Sequence, residues 1–248
     1  MRILKNKYLV LFLLLFFILL LAFIPFLKPV PEINIKNKLW THKGYGDYNQ
    51  YRIENILLAN SKGFGGVELD LHFNSDSNDF FLCHAYTLEN CQLKFSTIID
   101  TLAIHKIKLW LDLKTMSGDY VVMIDRLNNI IDSSKIDKNS IIVEVKKIKL
   151  IRLLKHKGIS AALWLKPMND YNWFRKVIIV YKNNIKLLLC NPNAVAIPIS
   201  EYNRIVKVLY QNQNIICWDN SYNCSNYAEY LKNKEIKIVL IDCKEINE

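Results

Sequence analysis

The chain has 248 residues and a formal net charge of +10, with 33 Lys and Arg against 23 Asp and Glu. The basic residues are scattered Lys without an interleaved aromatic stripe, which argues against nucleic-acid binding and favours an anionic membrane or an anionic substrate. The six Cys residues show no CxxC spacing, which argues against a zinc site.

The N-terminus contains one long apolar run, from Tyr8 to Leu27, preceded by Arg2, Lys5 and Lys7. Its length suits a single bilayer crossing of about 20 residues, and the basic residues before it place the N-terminus in the cytoplasm. A cleaved signal peptide is the alternative, but no small-x-small cleavage site follows. We therefore expect an uncleaved transmembrane signal anchor, with the remaining chain on the extracytoplasmic side of the membrane. The predicted organisation is a cytoplasmic N-terminus over 1–7, the anchor over 8–27, a linker over 28–38 and one folded domain over 39–248.

Short, β-branched and nearly continuous apolar segments alternate with helical ones along the rest of the chain. The predicted strands are Leu39–His42, Gly66–Leu71, Lys108–Leu113, Ser140–Val145, Ser160–Leu165, Ala194–Ile199, Asn214–Asp219 and Ile236–Asp242. The predicted helices are Arg52–Ser61, Phe95–His105, Tyr120–Ser133, Lys147–Lys157, Asn172–Tyr181, Glu201–Gln211 and Ser225–Asn233. Strands of this type are parallel and buried on both faces, so this pattern predicts a closed (β/α)8 TIM barrel. A doubly wound open sheet is the runner-up, but no glycine-rich phosphate loop follows the first strand.

The second predicted strand carries two acids on one face. In Val67-Glu68-Leu69-Asp70-Leu71 the aliphatic residues alternate with the acids, so both carboxylates share a face at period two. Two carboxylates on one face of a buried strand repel each other and are costly to desolvate. A divalent cation offsets this cost, and oxygen ligands suit Mg²⁺ or Ca²⁺. A solvated strand face with incidental acids is the alternative.

Polar residues also stand at the ends of other predicted strands, where a barrel carries its functional side chains. These are His42 and Lys43, Asp112 and Lys114, Glu144 and Lys146, Trp164 and Lys166, and Trp218 and Asp219. His84 follows the second strand between Cys83 and Cys91, which could close a small disulfide loop, as could Cys217 and Cys224. Buried free thiols are the alternative for these four residues.

Together these residues resemble the glycerophosphodiester phosphodiesterase family. The matching segments, in order, are His42-Lys43-Gly44, Glu54-Asn55, Glu68-x-Asp70, His84, Asp112-x-Lys114 and Trp218. The chain departs from the family at Lys43, where Arg is usual, at Ala85, where Asp is common, and at Asp112, where Glu is usual. The segment between His84 and Asp112 is also short. The segment Trp110–Thr115 and the missing acid after His84 are similar to the related sphingomyelinase D phospholipases.

The resemblance implies a role for each matched residue. The implied ligands of one Mg²⁺ or Ca²⁺ are Glu68, Asp70 and Asp112. The implied acid–base pair is His42 and His84. The implied substrate contacts are Lys43 and Lys114 to the phosphate and Trp218 along the pocket wall. Lys43 is a weaker clamp than Arg because it lacks the bidentate guanidinium. We expect His72 in the loop after the second strand, outside this set.

The predicted function is a membrane-anchored, metal-dependent phosphodiesterase that hydrolyses glycerophosphodiester-type substrates. One alternative is a sphingomyelinase D-like phosphodiesterase acting on lysophospholipids. Another is a catalytically degenerate barrel that binds a phosphorylated lipid or glycan. A third is a structural membrane protein whose clustered acids are accidental.

Overall fold

The computed structural model describes residues 7–13, 16, 30–33, 35–46, 51–84, 91, 93–114, 119–219 and 227–242. Its strands are β1 (Leu39–His42), β2 (Val67–Asn74), β3 (Asp79–Leu82), β4 (Leu109–Leu113), β5 (Ile141–Val145), β6 (Ser160–Trp164), β7 (Ala194–Pro198), β8 (Ile215–Trp218) and β9 (Ile236–Ile241). Within the described chain, eight parallel strands follow the order β1-β9-β8-β7-β6-β5-β4-β2, and β1 pairs again with β2. This second pairing closes the sheet, so the predicted TIM barrel is confirmed.

The helices lie between the strands along the chain. They are α1 (Ile53–Ser61), α2 (Phe95–Ile104), α3 (Tyr120–Ser133), α4 (Ile148–His156), α5 (Trp173–Cys190), α6 (Arg204–Leu209) and α7 (Tyr227–Leu231). α4 shows why they pack as they do, because Leu150, Ile151 and Leu154 recur at helical spacing and are buried, whereas Arg152 and Lys155 are exposed. α5 continues past the predicted end at Tyr181 to Cys190.

Strand alternation separates the barrel interior from the layer beneath the helices. In β2, Val67, Leu69 and Leu71 belong to the large core between strands and helices, while Glu68 and Asp70 point the other way. The interior contains a second apolar cluster in which Trp40 and Trp110 pack against small residues such as Ala162 and Ala194. This cluster fills the barrel below the acids, so the acids lie on a packed floor.

The hairpin formed by β2 and β3 is a feature that the sequence analysis missed. β3 pairs antiparallel with the second half of β2, and Leu71 lies opposite Leu82. This pairing extends β2 to Asn74, so the expected loop position of His72 is wrong and His72 lies within the strand. Its Nε2 lies 3.3 Å from the carbonyl oxygen of His84. The hairpin thereby brings the segment carrying His84 back towards Asp70 in the middle of β2.

The N-terminal segment before β1 packs across the amino-terminal end of the barrel. Val30 donates its N–H to the carbonyl of Asn212 at 3.1 Å, and Ile33 and Ile35 pack against the interior cluster. The buried Asn214 side chain donates to the carbonyl of Pro31 at 2.8 Å. Residues 30–33 and 35–38, which we call the strap, are therefore docked on the barrel.

Most of the predicted anchor, residues 8–27, lies outside the described residues; positions 7–13 are helical and exposed. Among the residues that are described, no helix has the length and apolar character needed to cross a membrane.

We predict that Asn214→Ala destabilises the protein by roughly 1–3 kcal/mol, because it removes two hydrogen bonds worth about 0.5–1.5 kcal/mol each. Besides the bond to Pro31, Asn214 donates to the carbonyl of Asn193 at 2.8 Å, so one truncation removes two part-buried hydrogen bonds. The measurement is urea unfolding. Asn60→Ala is the control, since Asn60 is exposed and donates to the carbonyl of His105 at the surface. Equal losses for the two variants would show that the strap contributes nothing.

Candidate active site

The polar residues at the strand ends lie side by side because the strands are in register. His42 is paired with Glu68, Asp70 with Asp112, and Asp112 with Glu144. Parallel strands end at the same edge, so the predicted residues of four strands meet at the carboxyl-terminal mouth of the barrel. The expectation that these side chains converge is therefore met for the acids and for His42.

Three carboxylates form the centre of the site. Single oxygens of Glu68, Asp70 and Asp112 all lie within 4.8 Å of one another, and Asp70 is fully buried. Burial and the neighbouring charge of Asp70 raise the pKa of Glu68 well above its usual value. Burial likewise raises the pKa of Asp112. Burial is the main cause of both pKa shifts, and the neighbouring charge of Asp70 adds to each.

Asp70 behaves differently because positively charged groups surround it. Burial alone would raise the pKa of its carboxyl, but hydrogen bonds to His42 and His84 and the charge of Lys114 hold that pKa well below its usual range. Its Oδ2 lies 2.8 Å from His84 Nδ1, and its Oδ1 lies 2.8 Å from Lys114 Nζ. Asp70 is therefore ionised and is the hub of the cluster.

Lys114 bridges two of the acids. Its ammonium contacts Asp112 as well as Asp70. Burial alone would lower its pKa, but the charges of Asp112, Asp70 and Glu68 raise it above the usual value. Lys114 is therefore a fixed cation at the edge of the carboxylate cluster.

The two histidines predicted as an acid–base pair face each other across the site. Their ring centroids are 6.3 Å apart and the rings are nearly perpendicular. His42 Nε2 lies 3.4 Å from Glu68 and 3.8 Å from Asp70. His84 contacts Asp70 as well, so the two imidazoles approach this one carboxylate from different strand ends.

Asp242 is a site residue that the sequence analysis missed. Its Oδ1 lies 2.6 Å from His42 Nδ1, which fixes the ring with Nε2 towards the acids. Burial alone would lower the pKa of His42, but the charge of Glu68 and the hydrogen bonds to Asp242 and Asp70 raise it to about 10. The position of Asp242 at the end of the last predicted strand was the available signal, because every strand of a barrel ends at the mouth.

A disulfide holds the segment that carries His84. Cys83 and Cys91 are bonded, so of the two alternatives for this pair the disulfide is the one present. Cys83 N–H also donates to the carbonyl of Asp70 at 3.2 Å, which places His84 directly beside its carboxylate partner. In the second possible pair, Cys217 is a buried free thiol in β8, and Cys224 lies outside the described residues.

The cluster opens into a cavity of about 160 Å³ at the mouth. The residues lining it are His42, Glu68, His84, Trp110, Asp112, Lys114, Glu144, Lys146, Trp164, Trp218, Asp219, Leu240 and Asp242. Carboxylate, imidazole and ammonium groups line one side of the cavity. Trp side chains, including the predicted Trp218, line the other side. Lys146 lies at the boundary, with Nζ 4.9 Å from the centre of the Trp164 ring.

Two residues of the family pattern lie away from this cavity. The ammonium of Lys43 lies 5.8 Å from the centre of the Tyr51 ring, and Lys43 is absent from the described lining. Its predicted contact with the phosphate remains a prediction. Glu54 is exposed on α1. Gly44, the third residue of the His-Lys-Gly segment, packs so closely on α1 that a Cβ would lie 2.7 Å from the backbone of Asn55.

Comparison with known proteins identifies the fold. No family profile matches the sequence, and no curated protein matches it. A phosphodiesterase from Oleispira antarctica, solved with its product sn-glycerol-3-phosphate, is 11% identical with a TM-score of 0.60, covering 84% of this chain and 93% of that one. A calcium-dependent phosphoinositol-specific phospholipase C from a Pseudomonas species is 8% identical with a TM-score of 0.55, covering 82% and 88%.

A further solved structure, from Silicibacter pomeroyi DSS-3, is assigned to the glycerophosphoryl diester phosphodiesterases. It is 9% identical with a TM-score of 0.60, covering 91% of this chain and 95% of that one. The glycerophosphodiester phosphodiesterases, which the sequence resembles, thus include a protein that shares this fold. A phosphoinositol-specific phospholipase C shares it too. The fold implied by the sequence resemblance is confirmed.

We predict that Asp242→Asn lowers the pKa of His42 by about one unit, because a charge-assisted hydrogen bond becomes a neutral one worth roughly 1.4 kcal/mol less. NMR titration of the imidazole without added divalent cation measures this change. Asp219→Asn, which neutralises another acid of the same cavity, is the matched control and should leave the His42 pKa nearly unchanged. An unaltered His42 pKa in Asp242→Asn would contradict the assigned contact.

Proposed function

We propose that the chain is a metal-dependent phosphodiesterase that hydrolyses glycerophosphodiester-type substrates. The observation that carries the proposal is the convergence of His42 and His84 on the buried carboxylate of Asp70, with ring centroids 6.3 Å apart. Hydrolysis of a phosphodiester anion needs charge neutralisation together with an acid and a base. The cavity offers all three on neighbouring strands.

The residues present fit a divalent cation. Glu68 Oε2 is buried and has no hydrogen-bond partner among the described residues, and the pKa values of Glu68 and Asp112 are raised by burial and by neighbouring acids. A hard cation such as Mg²⁺ or Ca²⁺ suits this all-oxygen donor set. Glu68, Asp70 and Asp112 would hold it. When bound, the ion would supply positive charge that offsets the negative charge of the phosphate.

The protein groups divide the remaining tasks. Lys114, fixed by two carboxylates, offers N–H donors to a phosphate oxygen, and Lys146 lines the same cavity from the end of the neighbouring strand β5. Asp242 positions His42 so that Nε2 faces the substrate space. His42 and His84 serve as the acid–base pair, one removing a proton from the attacking hydroxyl and one protonating the leaving oxygen. Trp218 and Trp164 exclude water along the remaining wall.

The second part of the proposal is that residues 8–27 anchor the protein with residues 39–248 outside the cytoplasm. The apolar run and its basic flank support it. The Cys83–Cys91 disulfide adds support, because disulfides persist in oxidising compartments.

We predict that added Mg²⁺ or Ca²⁺ stabilises the wild type by about 2.7 kcal/mol at a hundredfold excess over Kd, or roughly 5–10 °C in Tm for a domain of this size. Glu68→Ala and Asp70→Ala should each abolish the shift in a thermal melt. Glu54→Ala removes an exposed acid of α1 and should retain it. A full shift in either site variant would mean that the metal site is misplaced.

We predict that His42→Asn and His84→Asn each lower kcat by about 10²–10⁴-fold, the usual contribution of one acid or base. Metal affinity, read from the melt shift, should change little, because neither histidine is a proposed ligand. The wild-type rate should be bell-shaped with pH. The assay is a panel of glycerophosphodiesters and lysophospholipids, with His156→Asn on the exposed side of α4 as control.

Turnover confined to lysophospholipids would favour the sphingomyelinase D-like alternative. An inactive wild type across the whole panel would favour the degenerate barrel. A wild type whose rate is insensitive to both histidine replacements would refute the acid–base pair.

We predict that proteinase K added to intact spheroplasts degrades residues 40–248, because the folded domain lies outside the cytoplasm. Lysed cells are the control for susceptibility of the folded chain. Complete protection in intact spheroplasts combined with degradation after lysis would show that residues 40–248 lie on the cytoplasmic side of the membrane.

A further inference from the structure

The outer side of α5 exposes several large apolar side chains, four near its N-terminal end and two near its C-terminal end. Trp173 is 75% exposed, Phe174 60% and Val177 58%. The α5 apolar face, as we name it, consists of Trp173, Phe174, Val177, Ile178, Leu188 and Leu189. On its inner side the same helix buries Asn183 and Asn184, each 2% exposed. That inner side also buries Ile179, Leu187 and Cys190, as expected for a surface helix, so the large apolar residues on the outer side are additional to those that pack on the barrel.

Other described helices of the barrel expose such residues singly or as one pair. Examples are Leu58 in α1, Ile104 in α2, Val208 in α6, and Val121 with Val122 in α3. Isolated exposed apolar residues are ordinary on a protein surface. A contiguous apolar patch marks a surface that another apolar phase covers.

The charges on α5 are all positive. Arg175, Lys176, Lys182 and Lys186 are the charged residues of the helix, which contains no acid. The adjoining α4 adds Arg152, whose guanidinium donates to the carbonyl of Leu189 at 2.8 Å. It also adds Lys155, which donates to the carbonyl of Asn191. Exposed aromatic and aliphatic residues interleaved with basic ones are the composition of a helix that lies in a membrane interface.

The strap reaches the barrel beside the C-terminal end of α5. Asn214 donates to the carbonyls of both Pro31 and Asn193, and Asn193 follows the last residue of α5 by three positions. The apolar run 8–27 therefore ends only a few residues before Pro31, which lies near the C-terminal end of this helix. A chain anchored through that run would hold α5 close to the bilayer that contains the anchor.

We propose that the α5 apolar face docks onto an anionic lipid bilayer. Trp173, Phe174 and Val177 enter the interface, while Arg175, Lys176 and Lys182 contact anionic head groups. α5 follows β6, which ends at the mouth, and runs back along the side of the barrel for about 27 Å. Docking through this helix lays the barrel on its side and brings the mouth level with the lipid head groups.

A second copy of the chain fits this face less well than a membrane does. A two-fold contact through α5 would bring identical surfaces together and would oppose basic residues to basic residues with no acid on the helix to balance them. An anionic bilayer supplies the apolar phase and the opposite charge at once.

The test uses the full chain and two exposed valines as a matched pair. Val177→Trp adds a Trp to the α5 apolar face, and Val122→Trp adds one to α3, where Val122 is 50% exposed. Both proteins are placed in phosphatidylcholine vesicles whose acyl chains carry bromine, with and without phosphatidylglycerol. Bromine quenches a Trp that enters the bilayer. We expect most of the added emission of Val177→Trp to be quenched in the anionic vesicles, and that of Val122→Trp to persist.

A second variant tests the role of charge. Combining Lys176→Glu and Lys182→Glu with Val177→Trp should reduce quenching in the anionic vesicles to the level seen with phosphatidylcholine alone. The proposal fails if the emission of the Trp added in Val177→Trp is not quenched, or if that of the Trp added in Val122→Trp is quenched equally. It also fails if the protein forms a dimer without lipid and that dimer buries residue 177. Two separate measurements test the proposed function. Resistance to alkaline carbonate extraction reports anchoring by residues 8–27, and the substrate panel reports turnover.

Discussion

The site depends on the burial of one charge. Asp70 is fully buried in the middle of β2, where an isolated carboxylate would take up a proton. It stays ionised because His84 and Lys114 contact its two oxygens and His42 lies nearby. Each of these groups comes from a different part of the barrel mouth: the β2–β3 hairpin, the end of β4 and the end of β1. The charge of Asp70 thus fixes the side chains of His84, Lys114 and His42 in position. The two histidines of the proposed acid–base pair and the ammonium of Lys114 all contact this one carboxylate.

Barrel closure makes this arrangement possible. The pairing of β1 with both β2 and β9 brings His42 beside Glu68 on one side and near Asp242 on the other. The opposite end of the barrel is covered by the strap, whose Ile33 and Ile35 pack on the interior cluster. The two ends of the barrel therefore carry different features. The strap occupies the amino-terminal end and the cavity occupies the mouth, while the α5 apolar face lies along the side.

The barrel and most of its site could be predicted because both follow from periodicity. Alternating aliphatic residues identified β2 and the shared face of Glu68 and Asp70, and polar residues at strand ends identified His42, Asp112, Lys114 and Trp218. Asp242 was missed because a lone acid after the last strand has no local partner in sequence; its partner lies 200 positions away. β3 was missed because its role comes from pairing with β2. The direction of the Lys43 side chain is set by contact with Tyr51, which no local pattern encodes.

The contact between His42 and Asp242 also has a consequence for how the site forms during synthesis. During synthesis the first strand leaves the ribosome long before the last, and chains emerge at roughly 5–20 residues per second. Residue 242 therefore follows residue 42 by about 10–40 seconds. Throughout that interval His42 lacks the carboxylate that orients its ring, and β1 lacks β9 as its neighbour. The pairing of His42 with Asp242 forms only when the two ends of the fold meet, so a nascent or truncated chain carries Glu68, Asp70 and Asp112 without the oriented imidazole of His42.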